Sequence, residues 1–289
     1  MKVEVFMSTY NRAHLVKEAI DSVLAQTFKD WGFIVIDDCS QDNTWDILQK
    51  YKGNKITLIR NETNLSSGPS KNCHMLASEA KYLAIIDDDD RWEPEYLDTL
   101  VKALDNNSDC AIVYCDAWKE GSKGDRRYWD SSKGKPFPNI LPSCSIYRGD
   151  TFRRLEGWDM GNFLKYHAEA DYYLRIGWPK NFIHIPQPLV TLGSPADAMS
   201  ADRLECARKE LKLIEKHRDS LSNKVIGELY ARVGLHMIEA DEDGKPYFRQ
   251  ALRFSRLSPE AWGGLILSTI DRKLFLLVYS MYRRLLRYA

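Results

Sequence analysis

The stretch Tyr82-Leu83-Ala84-Ile85-Ile86-Asp87-Asp88-Asp89-Asp90 decides the fold. An apolar run followed at once by four carboxylates reads as a buried strand of a parallel sheet that ends in charge. Adjacent carboxylates repel one another and resist joint desolvation, so a positive group belongs beside them. In open α/β sheets, ligands sit beyond the carboxyl ends of the strands. Hard carboxylate oxygens favour Mg²⁺ or Mn²⁺, and such a cation can in turn hold phosphates. A plainer reading is a solvated acidic turn capping the next helix, because Asp suits N-caps and first turns. On this stretch alone the two readings stand level.

Outward from it, the N-terminal half alternates strand and helix. Residues 2–7 predict a first strand, followed by the polar loop Ser8-Thr9-Tyr10-Asn11-Arg12 and a helix over 13–26. Phe33-Ile34-Val35-Ile36 predicts a second buried strand that again ends in carboxylates, Asp37-Asp38. A helix to about residue 50, a strand at 56–59 and a helix over 69–80 precede the decisive stretch. Glu93-Pro94 then opens a further helix, and 111–115 gives a fifth strand. This alternation with short connections predicts an α/β fold with a mostly parallel, doubly wound sheet flanked by helices. Residues 119–142 read as a long polar loop carrying Tyr128, Trp129 and Phe137, the length of a lid or an acceptor wall. A helix is expected at 169–176, and from about residue 202 everything reads as helix: 203–218, 222–240, 246–256, then 259 to the end. The expected domains are 1–200 and a helical region, 201–289. The pair over 224–257 is faintly similar to a tetratricopeptide unit, but one copy makes no repeat.

Composition narrows the class. In 289 residues Lys+Arg and Asp+Glu both number 41, so no global charge points to nucleic acid. The six cysteines include no C-x-x-C pair, which argues against a zinc cage or a disulfide framework. Met1 to Phe6 enters a strand pattern without the apolar core of a signal peptide, and no apolar run reaches the roughly 20 residues of a membrane span. The expected location is cytoplasmic, peripheral on the inner face of the membrane if the tail is an anchor. No G-x-G-x-x-G and no Walker sequence occurs, so phosphate would have to be held by a metal rather than by a glycine loop.

Three strand ends thus converge on a crevice of carboxylates, hydroxyls and one guanidinium. Met7-Ser8-Thr9-Tyr10-Asn11-Arg12, Ala25-Gln26-Thr27-Phe28 with Val35-Ile36-Asp37-Asp38-Cys39-Ser40, Asn64 with Gly68 and Ser70-Lys71-Asn72, and Ile86 to Pro94 follow one another in order. In that order and spacing, residues 1 to about 200 resemble a family 2 glycosyltransferase of the GT-A fold. The resemblance implies a metal-dependent, inverting transfer of sugar from a nucleotide diphosphate sugar, UDP-sugar foremost, to a hydroxyl of a glycan or lipid-linked acceptor. It implies that Ser8, Thr9, Tyr10 and Arg12 line the nucleotide pocket, with Tyr10 near the base. Asp38 would bind the base and Asp37 would shape its turn. Lys71 would meet phosphate as a point charge where the family often has Arg. Asp87-x-Asp89 would be the DxD motif, with Asp89 the ligand of Mn²⁺ or Mg²⁺ and Asp87 and Asp88 serving metal or ribose. Asp90 would cap the following helix.

The resemblance further implies a carboxylate base six residues before an Arg, which fits Glu169 and Arg175. The usual acidic pair is interrupted by Ala170, so a shift in register would make Asp171 the base. The family's late metal-binding His is missing after Leu192, and His184 is expected to pack or face solvent. Trp158 fits either an acceptor floor or the core. Residues 259–289 interleave Trp262, Ile266, Leu274, Phe275 and Tyr282 with Arg272, Lys273, Arg283, Arg284 and Arg287. Such a helix suits an anionic membrane surface, or packing on this chain or on a second copy in a homodimer. Two rival functions remain. A nucleotidyltransferase of sugar activation needs a glycine-rich basic loop after the first strand, which Ser8 to Arg12 does not resemble. A non-catalytic nucleotide-sugar-binding scaffold needs no carboxylate near residue 169.

Overall fold

A computed structural model describes residues 1–53, 55–120, 125–132, 140–162, 166–193 and 202–268. The chain divides into two compact units, Met1–Ala198 and Met199–Ala289.

In the first unit the strands are β1 (Val3–Thr9), β2 (Trp31–Asp37), β3 (Ile56–Arg60), β4 (Tyr82–Ile85), β5 (Arg91–Trp92), β6 (Ile112–Glu120), β7 (Arg126–Trp129), β8 (Ser145–Arg148) and β9 (Phe182–Leu192). The helices are α1 (Val16–Leu24), α2 (Thr44–Gln49), α3 (Ser67–Ala77), α4 (Tyr96–Asp105), α5 (Gly149–Arg154) and α6 (Tyr166–Ile176). The sheet order is β3-β2-β1-β4-β8-β6-β9-β5, with β7 paired to β6. The β3-β2-β1-β4 half is parallel; β8 enters antiparallel between β4 and β6, and β6 and β9 run parallel. The fold is α/β, with a mixed sheet flanked by helices.

Apolar residues on both faces of the central strands explain this arrangement. Val3, Val5 and Met7 of β1 share a core with Tyr82, Ala84 and Ile86, with Ile20 and Val23 of α1 and with Leu97 and Leu100 of α4. The alternate residues Phe6, Leu83 and Ile85 are equally buried on the other face. Because β1 lies between β2 and β4, the chain reverses its winding at β1, and a crevice opens at the carboxyl ends of these three strands.

Three expectations need correction. The segment after the aspartates is not yet helix: Arg91–Trp92 pairs with β9, and α4 begins at Tyr96, two residues past Pro94. Stacking of Trp92 on Tyr96, with centroids 4.1 Å apart, anchors that entry. The strand placed at 111–115 runs to Glu120 and returns as β7, so the expected loop at 119–142 begins as an antiparallel hairpin. Its second strand, Arg126–Trp129, is charged and largely exposed and lacks the apolar run by which a strand is read from sequence. Phe137 lies outside the described residues. Asp90 does not cap α4; its carboxylate accepts the Gly193 N–H at 3.0 Å, tying the end of β4 to the end of β9.

The second unit contains α7 (Arg203–His217), α8 (Asn223–Glu239), α9 (Lys245–Phe254) and α10 (Pro259–Leu267). Asp202, Ser222 and Ser258 cap α7, α8 and α10 through their side-chain oxygens. Phe248 fills the centre among Ala231, Ile238, Ala251 and Ala261. Gly264 lets α10 approach closely, since a Cβ there would lie 2.3 Å from the Phe248 ring. Residues 269–289, most of the expected tail helix, lie outside the described residues.

Between α5 and α6, Asn72 grips Trp158 from both sides: Asn72 Oδ1 accepts the Trp158 N–H at 2.9 Å, and Asn72 Nδ2 donates to the Trp158 carbonyl at 3.3 Å. Trp158 is 3% exposed and packs edge-on to Tyr147 and Phe152, so it belongs to the core. Gly157 turns here with φ +63°, and a Cβ would lie 2.6 Å from Asn72 Oδ1. Gly157→Ala should therefore destabilise the protein by about 1–3 kcal/mol, read as a lower urea midpoint with an unchanged slope.

Candidate active site

The carboxyl ends of β1, β2 and β4 carry the chemistry. At the end of β1, Ser8 Oγ bonds Ser67 Oγ at 2.8 Å, joining the strand to the first residue of α3. Thr9 is buried, its carbonyl accepts the Asp38 N–H at 2.9 Å, and its hydroxyl lies beside Asp88. Tyr10 is 43% exposed at the rim. Arg12 enters through its backbone N–H, which donates to Thr44 Oγ1 at 3.0 Å, and its guanidinium acts on Asp88.

At the end of β2 two neighbouring carboxylates do different work. Asp37 is fully buried; Arg60 Nε pairs with it at 3.0 Å, and it accepts the Ser40 N–H at 3.3 Å, which fixes the turn. Asp38 accepts from Asn61 Nδ2 at 2.7 Å and from the Leu65 N–H at 3.0 Å, so it orders the entry to α3.

At the end of β4, Asp87, Asp88 and Asp89 are half-buried and Asp90 is buried. The Lys71 ammonium, itself 3% exposed, reaches up from α3 to Asp87 Oδ1 at 2.8 Å. The Asp87 N–H donates to Ser143 Oγ at 2.9 Å. Burial pushes the Asp88 carboxyl up to about 6; the Thr9 hydroxyl and Arg12 pull it down, and Asp89 and Asp87 add repulsion. Asp90 is held well above the usual carboxylate range by burial and then by Asp87 and Asp89. A Cβ on Gly193 would sit 2.2 Å from the Asp89 carbonyl oxygen, so the end of β9 passes directly against the cluster. Crowded carboxylates, two of them carrying raised pKa values, form a hard-oxygen set with a charge excess that a divalent cation would relieve.

Glu169 comes to the same place from α6. Its side chain is half-buried, and its Oε2 is enclosed and accepts no hydrogen bond. Burial pushes its carboxyl up to about 7; its own backbone N–H and Lys71 pull it down, and Asp87 pushes it further up. Asp171 is in a different state. It is fully buried and bonded by Arg175 Nε at 2.8 Å, while the other guanidinium nitrogens of Arg175 donate to the carbonyls of Leu155 and Gly157 at 2.5 and 2.6 Å.

The fold therefore brings together Ser8, Thr9, Arg12, Lys71, Asp87, Asp88, Asp89 and Glu169. It sets Asp37 and Asp38 at the adjoining strand end, leaves Tyr10 at the rim and commits Asp171 to Arg175. Sequence reasoning missed Ser67, Ser143 and Gly193, which hold the site through individual contacts without any pattern of their own. It also missed a second polar cluster, Asp116 with Asp130 and His184. His184 does pack, on Tyr114 with ring centroids 4.9 Å apart, and its Nε2 also lies 2.8 Å from Asp116 Oδ1.

Known proteins resemble this chain in sequence and in fold. The UDP-Glc:alpha-D-GlcNAc-diphosphoundecaprenol beta-1,3-glucosyltransferase WfaP of Escherichia coli is 33% identical over 90 residues, covering 31% of this chain and 36% of that protein. The chain spans well under half the length of the curated relatives it matches. Two solved structures share the fold. One is S. aureus TarS with UDP-GlcNAc, at TM-score 0.59 and 17% identity over 93% of this chain and 79% of that one. The other is the mannosyltransferase PcManGT of Pyrobaculum calidifontis with GDP-Man and Mn²⁺, at TM-score 0.57 and 16% identity over 99% and 80%. The model of the family described as glycosyl transferase family 2 matches residues 4–162, more than half of the chain, with three acidic or polar strand ends inside the match. The protein belongs to glycosyl transferase family 2.

Proposed function

We propose that this glycosyltransferase moves a sugar, with inversion, from a nucleotide diphosphate sugar to a hydroxyl of a lipid-linked or glycan acceptor, with Glu169 as the base. One observation carries the reading: a carboxylate oxygen that is enclosed, accepts no hydrogen bond and titrates near 7 beside the Lys71–Asp87 pair. A general base is most effective when its pKa lies near the working pH. Asp171 is spent on Arg175 and is the weaker candidate. UDP is the first choice of donor nucleotide, because WfaP is named for UDP-Glc and TarS was crystallised with UDP-GlcNAc. A diphosphate-linked lipid acceptor is suggested by the name of WfaP.

The residues each have a task. Thr9, Tyr10 and Arg12 border the nucleotide, with Tyr10 free to lie along the base. Asp38 and Asp37 order the wall beneath it. Lys71 supplies positive charge to the diphosphate as a point charge. Asp89, with Asp87, would hold Mn²⁺ or Mg²⁺; when bound, the cation offsets charge that develops on the leaving diphosphate. Asp88, with the Thr9 hydroxyl beside it, would accept a hydrogen bond from a ribose hydroxyl. Glu169 takes the proton of the attacking acceptor hydroxyl. A free carboxylate at this position is superfluous in a non-catalytic scaffold, and Ser8 to Arg12 lacks the glycine-rich loop of a nucleotidyltransferase.

Among the described residues no helix is long and apolar enough to cross a membrane. Leu257, Trp262 and Ile266 are exposed at 91%, 48% and 54%, and the last two lie one turn apart on α10. Together with the apolar and basic residues 272–287, they make this end of the chain our proposed contact with an anionic membrane surface, where a lipid-linked acceptor resides. A homodimer through the same residues is the competing use.

Asp89→Asn should abolish metal-dependent donor binding while changing stability by no more than about 1 kcal/mol, because it removes one of four crowded charges. Titration calorimetry with UDP-sugars and Mn²⁺ reads the first effect; unchanged affinity would remove Asp89 from the metal site.

For Glu169→Gln, turnover should fall on the order of 10²–10⁴-fold with donor affinity kept. The wild-type rate should rise with pH through about 7, as Glu169 loses its proton, and the rise should vanish in the variant. A variant that keeps both rate and pH profile, beside an inactive Asp171→Asn, would move the base to Asp171.

Removal of residues 269–289, with the α10 packing on Phe248 left intact, should abolish co-sedimentation with anionic vesicles and spare donor hydrolysis. Equal pelleting of the two forms excludes the tail as the anchor, and loss of a dimer on size exclusion assigns it to self-association.

A further inference from the structure

We propose that Asp116, Asp130 and His184 form a second divalent-cation site, separate from the acidic end of β4. One ligand atom from each residue lies within 4.8 Å of the other two. Asp116 belongs to β6, His184 to its parallel neighbour β9, and Asp130 directly follows β7, which pairs with β6 on a hairpin. Three adjoining strands thus deliver one ligand each.

The backbone is shaped for this. The β6–β9 pairing slips between Cys115 and Asp116 and again between Asp116 and Ala117. Irregularities of this kind re-aim a side chain without unmaking the sheet. Asp116 is fully buried, and three donors orient its carboxylate: the Ser131 N–H at 2.8 Å, the Tyr128 hydroxyl, and His184 Nε2, 2.8 Å from Oδ1. The Ser132 N–H and hydroxyl hold Asp130 Oδ1, the former at 3.0 Å. The His184 ring is fixed against Tyr114, stacked with an interplanar angle of 24°. Ligands oriented by a surrounding shell of hydrogen bonds and packing are what a metal site requires.

The spacing suits a cation as well as it suits a hydrogen bond. Two ligands at right angles on a metal with bonds of about 2.1 Å stand roughly 3 Å apart, close to the separation of His184 Nε2 from Asp116 Oδ1. On binding, neutral His184 would carry its proton on Nδ1, so that Nε2 offers the metal a lone pair in place of the N–H it gives to Asp116, and the two carboxylates would supply the charge. A mixed imidazole–carboxylate set favours Mn²⁺ or Zn²⁺ over Mg²⁺ or Ca²⁺. Three protein ligands leave positions for water or for an anionic oxygen. The site does not depend on the donor reading, because it shares no residue with the acidic cluster.

The test counts bound Mn²⁺ on the full chain by electron paramagnetic resonance of the free ion, with UDP present. Wild type should bind one equivalent more than His184→Gln and one more than Asp130→Asn; the latter lies at a hairpin end and serves if the His184 variant misfolds. Asp89→Asn, run alongside, should keep the equivalent that those two lose. Equal Mn²⁺ stoichiometry in wild type and in either folded variant overturns the proposal. If His184→Gln loses an equivalent while Asp89→Asn loses none, the new site stands and the metal reading of the β4 end falls.

Discussion

Repulsion among Asp87, Asp88, Asp89 and Asp90, crowded at the end of a buried strand, is the constraint around which the first unit is arranged. Each neighbour answers it in a different way. Lys71 is drawn almost wholly out of solvent to meet Asp87. Arg12 and Thr9 lean on Asp88. The Gly193 N–H is directed at Asp90, which brings the end of β9 so near that no side chain fits at residue 193. The relief is incomplete. A carboxyl whose pKa is raised in the folded state adds stability that is full below its unfolded value, and that stability is lost as pH rises through the folded value. Asp88 and Asp90 both have this sign, so near neutral pH this strand end is strained. A cation bound there would stabilise the fold by mass action, with an affinity that depends on pH.

Glu169 has the same sign and the same first cause: burial raises its carboxyl, and Asp87 adds to it. Two residues on, Asp171 is more deeply enclosed but has the Arg175 guanidinium at hydrogen-bond distance. Two carboxylates on one helix are thus set apart by environment alone, one paired with a guanidinium and one with a raised pKa, the usual way in which a protein divides acid–base work. Arg175 also grips the Leu155 and Gly157 carbonyls, and Asn72 grips Trp158 beside them. The turn that precedes the helix of Glu169 is therefore held through its backbone groups.

The donor half of this arrangement was legible because each part of it is local. An apolar run followed directly by acidic residues marks a strand end, and convergence of strand ends follows from the alternation of strand and helix. The helices of the second unit were legible from their periodicity, within a residue or two at most ends. The opposite half was not. β7 carries Arg126, Arg127 and a half-exposed Tyr128, and is a strand only because β6 offers it an edge. Asp90 looked like a cap because capping is the commonest use of Asp before a helix, whereas its partner lies 103 residues away in sequence. Ser143, which takes the Asp87 N–H and gives its carbonyl to Trp92, stands in a segment with no periodicity at all.

The difference between the halves is physical and bears on what can vary. The donor side is fixed by charge balance among residues within a few positions of strand ends, so replacing any one of Lys71, Asp87 or Asp90 unbalances the others. The opposite side rests on the β6–β7 hairpin, where Trp118 meets Tyr128 edge-on and Lys119 lies over Trp129. Such pairs contribute about 1 kcal/mol each and are largely independent of one another. Substitution there alters the shape of the wall without disturbing the charge balance beneath it. The two sides are joined through strand pairing at β8 and β6 and also through Arg91, which follows Asp90 and pairs with Glu120 at the hairpin end of β6.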